Sequence, residues 1–131
     1  MTRKWNLPLT YEPKIGPVIR GEIRQTIRAG NKFSVGDLIR FYTWQGRPYH
    51  SKRTTITEYV PLKEVLPVKF YPAGMEFPSG LGGEDFAQWN DLDNLAAMDG
   101  IVPPKGVILR NVLISKNGIK IGGIEAQIIR W

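Results

Sequence analysis

The sequence predicts an α+β domain dominated by short strands, a small β-barrel with one or two short helices. Runs in which apolar residues alternate recur along the chain, and a period of two is the mark of a half-buried strand. Gly 14 and Pro 10 are many for 131 residues, and both residue types punctuate turns. Only Glu84 to Met98 shows the three/four apolar spacing of a helix, through Phe86, Trp89, Leu92, Leu95 and Ala96.

Taken in order, Trp5, Leu7, Leu9 and Tyr11 alternate and predict a first strand, with Pro8 marking it as an edge. Between Pro13 and Gly21 there is room for a helical turn near Pro17 that carries Val18 and Ile19 inward. Gln25 to Arg28 reads as extended, with Thr26 and Arg28 on one face and Gln25 and Ile27 on the other. A Gly36-Asp37 turn leads into the clearest strand, Leu38 to Trp44, where only Arg40 interrupts an apolar run. Gln45 to Ser51 is a loop, and Lys52 to Val60, rich in β-branched residues, is another strand. Leu66 to Tyr71 follows, and residues 72–83 read as the longest loop.

The helical stretch is either Glu84 to Met98 or a shorter Leu92 to Met98, capped by Asp91 and closed by Gly100. Pro103 and Pro104 impose a break. Val107 to Ser115 and Ile119 to Ile121 then flank Asn117-Gly118, which predicts a hairpin. Ile124 to Trp131 is the last strand. No repeat and no internal boundary interrupts the pattern, so residues 1–131 read as one domain.

At this length and with 42% apolar and 23% charged residues, the chain has enough material for a core. The absence of cysteine excludes disulfides and thiolate metal sites. No apolar run near the first residues is long enough for a signal peptide, and none approaches a membrane span, so a cytoplasmic protein is expected. The net charge of +6 is unevenly placed. Residues 1–60 hold 11 Lys/Arg against 4 Asp/Glu, and residues 61–131 hold 7 against 8. A basic half favours a polyanion or a phosphate-bearing ligand; it also serves solubility alone.

The single histidine, His50, lies in a basic loop that offers no orienting carboxylate, which argues against a Ser-His-acid triad. Glu84, Asp85, Asp91 and Asp93 are spread like a solvated helix face, so no metal site is expected. Gly80 to Gly83 lacks the lysine of a phosphate-binding loop, and no cofactor is expected. Two basic segments remain: Arg20, Arg24 and Arg28, and Arg47, His50, Lys52 and Arg53 around Tyr49. Arginine forks beside aromatic faces suit phosphate and base contacts.

Residues 21–44 resemble the ASCH domain, a small PUA-like β-barrel family. Its signature runs G-x-K-x-x-T-x-R, a variable loop, then G-D and an apolar strand. Here Gly21, Thr26 and Arg28 stand in register, followed by Gly36-Asp37 and Leu38 to Trp44. The resemblance extends over residues 15–71, 92–101 and 124–131. It implies a basic cleft for RNA or a nucleotide-like ligand. One branch of the family is an amidohydrolase on acetylated cytidine, using a lysine, a threonine and a glutamate. Carried over, the threonine is Thr26 and the acid is Asp99, while the lysine position holds Ile23. Isoleucine cannot transfer a proton, and Arg24 stays charged, which moves the reading from catalysis to binding.

The leading expectation is therefore a binding domain for RNA, single-stranded nucleic acid or a nucleotide. Arg28 contacts phosphate with Arg24 or Arg20 beside it, Thr26 a base or sugar, Tyr42 or Trp44 a base face, and Arg47, His50 and Lys52 form the opposite rim. Asp99 orients Arg28 or accepts from a base edge. The alternatives are a hydrolase on a modified nucleoside or RNA, with Thr26 and Asp99 catalytic, and a protein-interaction module using residues 72–83 and the hairpin at Asn117.

Overall fold

A computed structural model describes residues 2–45, 52–78, 84–118 and 120–131. In chain order the elements are β1 (Lys4–Pro8), α1 (Glu12–Ile19), β2 (Gln25–Ala29), β3 (Leu38–Trp44), β4 (Arg53–Thr55), β5 (Val60–Pro61), β6 (Glu64–Phe70), β7 (Gly74–Pro78), β8 (Glu84–Gln88), a 3-10 turn (Trp89–Asp91), α2 (Asp93–Met98), α3 (Gly106–Asn117) and β9 (Ile124–Arg130). The fold is α+β. Strands β1, β3, β4 and β5 form one sheet, with β1 parallel to β3, and β2-β9-β6-β7-β8 form a second, antiparallel one. Among the described residues the two sheets share no strand pairing, so the expected barrel does not close.

Strand β9 explains how the layers stack. Ala126, Gln127, Ile128 and Ile129 are all buried. Ala126 and Ile128 join a core with Leu92, Ala96, Leu109 and Leu113, under α2 and α3. Ile129 turns to the other face and joins Leu7, Val18, Ile39 and Phe41, together with Trp131 just after the strand. The second sheet is thus covered by helices on one face and by the first sheet on the other, which removes polar-out alternation from its central strand. Pro67 is tolerated inside β6 because β7 pairs only at Lys69 and Phe70, leaving Pro67 on a free edge.

Several expectations are corrected. Residues 107–115 are not a strand: Leu109 and Leu113 repeat at four residues and bury on one stripe, so they form α3. Gly118 then ends the helix with φ +76 and donates to Ile114 O at 2.8 Å, a helix stop rather than a hairpin turn. The long helix from Glu84 is also absent. Residues 84–88 pair with β7 as β8, and only Leu92 and Ala96 keep the four-residue stripe, in a helix that the positive φ of Gly100 follows. No side-chain hydrogen bond caps its start.

Residues 72–83 include strand β7. An alanine Cβ at Gly74 would stand 2.1 Å from Ala87 O, so this glycine permits close strand approach rather than a flexible loop. Finally, α1 is a full eight residues despite Pro17, and its Ile19 points outward at 53% exposure while Val18 is buried. The strand expected over 52–60 is split into β4 and β5, because the amide of Phe41 donates to the Thr57 hydroxyl instead of a backbone carbonyl. Strands β1, β2, β3, β6 and β9 lie where alternation places them.

No described helix is long and apolar enough to cross a membrane.

Candidate functional site

Five segments converge on one partly enclosed cavity of about 260 Å³. The link from β1 to α1 supplies Pro8 to Tyr11, α1 supplies Lys14, β2 supplies Thr26 to Ala29, the end of α2 supplies Asp99, and α3 supplies Val112, Leu113, Lys116 and Asn117. Ionisable chemistry concentrates here. Lys14, Arg28 and Lys116 face a single carboxylate, Asp99.

Local structure explains why these side chains point inward. Lys14 stands one helical turn before Val18, the apolar residue by which α1 packs on the core, so the lysine is carried in with it. It is 4% exposed, and its Nζ lies 3.3 Å from Asp99 Oδ2. Asp99, at the C-cap of α2 and 6% exposed, is turned inward by the chain reversal at Gly100. Arg28 alternates with buried Ile27 and donates from Nη2 to Pro8 O at 2.7 Å, tying β2 to the end of β1. Lys116 sits one turn beyond Val112 and Leu113 on the inner side of α3.

Burial shapes the electrostatics. It drives the Lys14 ammonium down to about 8 from its usual 10.5, with Arg28 and Lys116 adding repulsion and only Asp99 opposing. The same cause brings Arg28 down to about 10, against the pull of Asp99 and Tyr42. Lys116 is lowered by burial and by Arg28. Asp99 is raised by burial, although Lys14, Gln25 and Arg28 favour its charged form. The cavity therefore carries more positive charge than its carboxylate neutralises. Asp99 Oδ1 and Gln25 Nε2 lack a partner at full hydrogen-bond geometry among the described residues, although Gln25 already acts on the Asp99 carboxylate. Gln25 spends its Oε1 on Arg130 Nε at 2.9 Å. Such under-satisfied polar atoms are costly unless a ligand or water meets them.

The lowered Lys14 makes stability depend on pH with a definite sign. Between about 8 and 10.5 the unfolded chain binds the Lys14 proton more tightly than the folded one, so stability is present above the unfolded value and is lost as pH falls toward 8. Raising pH from 8 to 10 should stabilise the wild type by about 2 kcal/mol more than Lys14→Met. Urea unfolding of both proteins at the two values checks this. Parallel pH profiles would mean that Lys14 is not strained by burial.

The remaining sequence candidates divide. Thr26, 4% exposed, Arg28 and Asp99 line the cavity together. Tyr42 acts on Arg28 electrostatically from β3 in the other sheet. Arg20 is instead paired with Glu22 outside the cavity, and Arg24 is exposed, donating to Gly21 O at 3.3 Å. Lys52 is exposed beside β4, while Arg47 and His50 lie outside the described residues. Ile23 packs over Gly100 alongside the Lys14 stem: both approach within about 3.4 Å of where a Gly100 Cβ would stand. Asp37 of the turn before β3 is buried and structural, accepting from Trp5 Nε1 at 3.0 Å, Ser34 N at 3.1 Å and Arg3 N at 3.3 Å.

Sequence reasoning missed Lys14 and Lys116. The four-residue step from Lys14 to Val18 was the available signal for the first. The second becomes visible only once α3 is read as a helix. Among the described residues no group of three or more His, Cys, Asp or Glu stands together as a metal-ion site.

Compared with known proteins, the chain matches no family model, no curated protein and no solved structure.

Proposed function

We propose that the cavity binds an anionic, nucleotide-bearing ligand, either a free nucleotide or one nucleotide unit of an RNA, in the manner that an ASCH-type, PUA-like domain would. The observation that carries this reading is the convergence of Lys14, Arg28 and Lys116 around the lone carboxylate of Asp99 in one cavity. Excess positive charge in a partly desolvated pocket is a phosphate's complement. At about 260 Å³ the volume suits one nucleoside-sized group rather than a duplex. Arg28 and Lys116 take the phosphate. Thr26 offers its hydroxyl, and the Oδ1 of Asp99 accepts from a base or sugar donor. Lys14 holds Asp99 in place.

Arg28→Ala should weaken binding of nucleotides and short RNAs by about ten-fold, since hydrogen bonds to charged groups are worth about 1.5–3 kcal/mol. It should also lower the slope of affinity against salt by about one charge. Titrations at several salt concentrations measure both. Salt-dependent binding absent for every nucleotide, RNA and single-stranded DNA offered would reject the reading.

One observation favours a second reading, hydrolysis of an acylated nucleoside. Lys14, lowered to about 8, lies in the same cavity as Thr26 and Asp99, and its stem lies beside Ile23 over Gly100. A lysine tuned toward neutrality is a competent proton acceptor, so α1 supplies the ammonium that position 23 lacks. Incubation with acylated nucleosides tests it: turnover lost in Lys14→Met supports it, and no turnover by the wild type discards it.

A further inference from the structure

The outer face of the first sheet carries an array that, Tyr42 apart, the cavity does not use. Its inner face is core, through Leu7, Ile39 and Phe41. Alternation turns Lys4 and Asn6 of β1, Arg40, Tyr42 and Trp44 of β3, and Arg53 of β4 to the opposite side, in register across the strands. These side chains interleave cations with rings. The Arg53 guanidinium lies 4.5 Å from the centre of the Tyr42 ring, and the Arg40 guanidinium lies 4.5 Å from that of Tyr59. The Lys4 ammonium stands 5.3 Å from the same Tyr59 ring. Trp44 meets Tyr42 edge-on at 5.5 Å.

Among the described residues no ion pair takes Lys4, Arg40 or Arg53. Arg40 donates its Nε to neutral Asn6 at 2.6 Å, and among the described residues no carboxylate takes its guanidinium. Stacked guanidinium planes hold their edges for phosphate oxygens and their outer faces for bases. Successive outward side chains on β3 are about 6.7 Å apart, a repeat that an extended polynucleotide with unstacked bases can follow.

We propose that this face is a track for single-stranded nucleic acid, with Tyr42–Arg53 and Tyr59–Arg40 as two stacking stations and Lys4 as an added phosphate contact. Charge complementarity names the partner: a cationic strip with aromatic planes matches a phosphodiester chain with exposed bases. The track goes beyond the cavity reading and does not require it, because a strand can lie across the sheet with the cavity empty.

The test uses fluorescence anisotropy of labelled twelve-nucleotide RNA and DNA, single-stranded and duplex, with the full chain. Wild type should bind the single strands with a salt-dependent affinity and the duplexes about ten-fold more weakly, since stacking needs unpaired bases. The double variant Arg40→Ala/Arg53→Ala should reduce the salt slope by about 1.4, at about 0.7 per contact. Trp44→Ala and Tyr59→Leu should each weaken single-strand binding several-fold. Arg53 is exposed while Arg40, Trp44 and Tyr59 are half-buried, so circular dichroism and thermal unfolding verify the fold of each variant. Mononucleotide affinity, which reports on the cavity, should stay unchanged in these variants. RNA preferred over DNA would assign the strand as RNA, and equal affinity would assign the shared phosphodiester chemistry. Either result supports the track. Single-strand affinity unchanged in the double variant, duplex bound as tightly as single strands, or no wild-type binding would overturn it.

Discussion

Asp99→Ala is expected to destabilise the protein by about 3–5 kcal/mol, the cost of breaking a buried ion pair by removing one partner. Among the described residues Asp99 is the only carboxylate that lines the cavity, 3.3 Å from Lys14 and acting on Arg28. With it gone, buried Lys14, half-buried Arg28 and Lys116 face one another. Lys14 should then lose its proton still more readily, because burial and repulsion both already act against its charge. The destabilisation should therefore shrink as pH rises above 8. Combining Asp99→Ala with Lys14→Met should restore part of the loss, by removing the stranded ammonium. Urea unfolding of the four proteins measures this cycle. A double variant no more stable than Asp99→Ala would mean that the pair is not what Asp99 sustains.

Gly106→Ala should cost about 3 kcal/mol or more, at or beyond the upper end of ordinary overpacking. An alanine Cβ there would stand 1.7 Å from Trp89 O and 3.1 Å from Leu92 Cβ. The obstacle is backbone, which cannot rotate out of the way. Relief requires α3 to retreat from the 3-10 turn and α2, which breaks the 2.8 Å bond from Gly106 N to Asp93 Oδ1 and opens the core at Leu109. It also moves Lys116 relative to the cavity. Gly122→Ala is the matched control, since its Cβ meets nothing within 4 Å. Thermal unfolding of both compares them. A Gly106→Ala protein as stable as Gly122→Ala would contradict the close packing of α3 on Trp89.

What could be read from sequence followed from how many faces each element buries. Strands β3 and β9 were legible because β-branched and aromatic runs alternate or continue where a sheet is covered. The same residue types misled at 107–115, where Val, Ile and Leu favour a strand locally while the Leu109–Leu113 stripe is buried as a helix. Asn117-Gly118 gave no arbitration, since a residue with positive φ serves a hairpin and a helix end equally. Closure of a barrel depends on pairing between distant strands, which alternation does not encode. In the cavity, Arg28 was nameable from its basic segment, and Thr26 and Asp99 from the family resemblance of theirs. Lys14 and Lys116 were not, because each enters on a helix that proline or β-branched residues disguise. The missing lysine at Ile23 looked decisive in one dimension. In three, the Lys14 stem from α1 lies beside it over Gly100.

The most direct test of the cavity reading is chemical-shift mapping of the labelled protein during titration with a mononucleotide. The account predicts saturable shifts confined to the cavity segments: the amides of Leu9–Tyr11, Lys14, Thr26–Ala29 and Leu113–Asn117, and the side-chain nitrogens of Arg28. Shifts that map only to β3 and β4, or no saturable shift with any nucleotide, would contradict it.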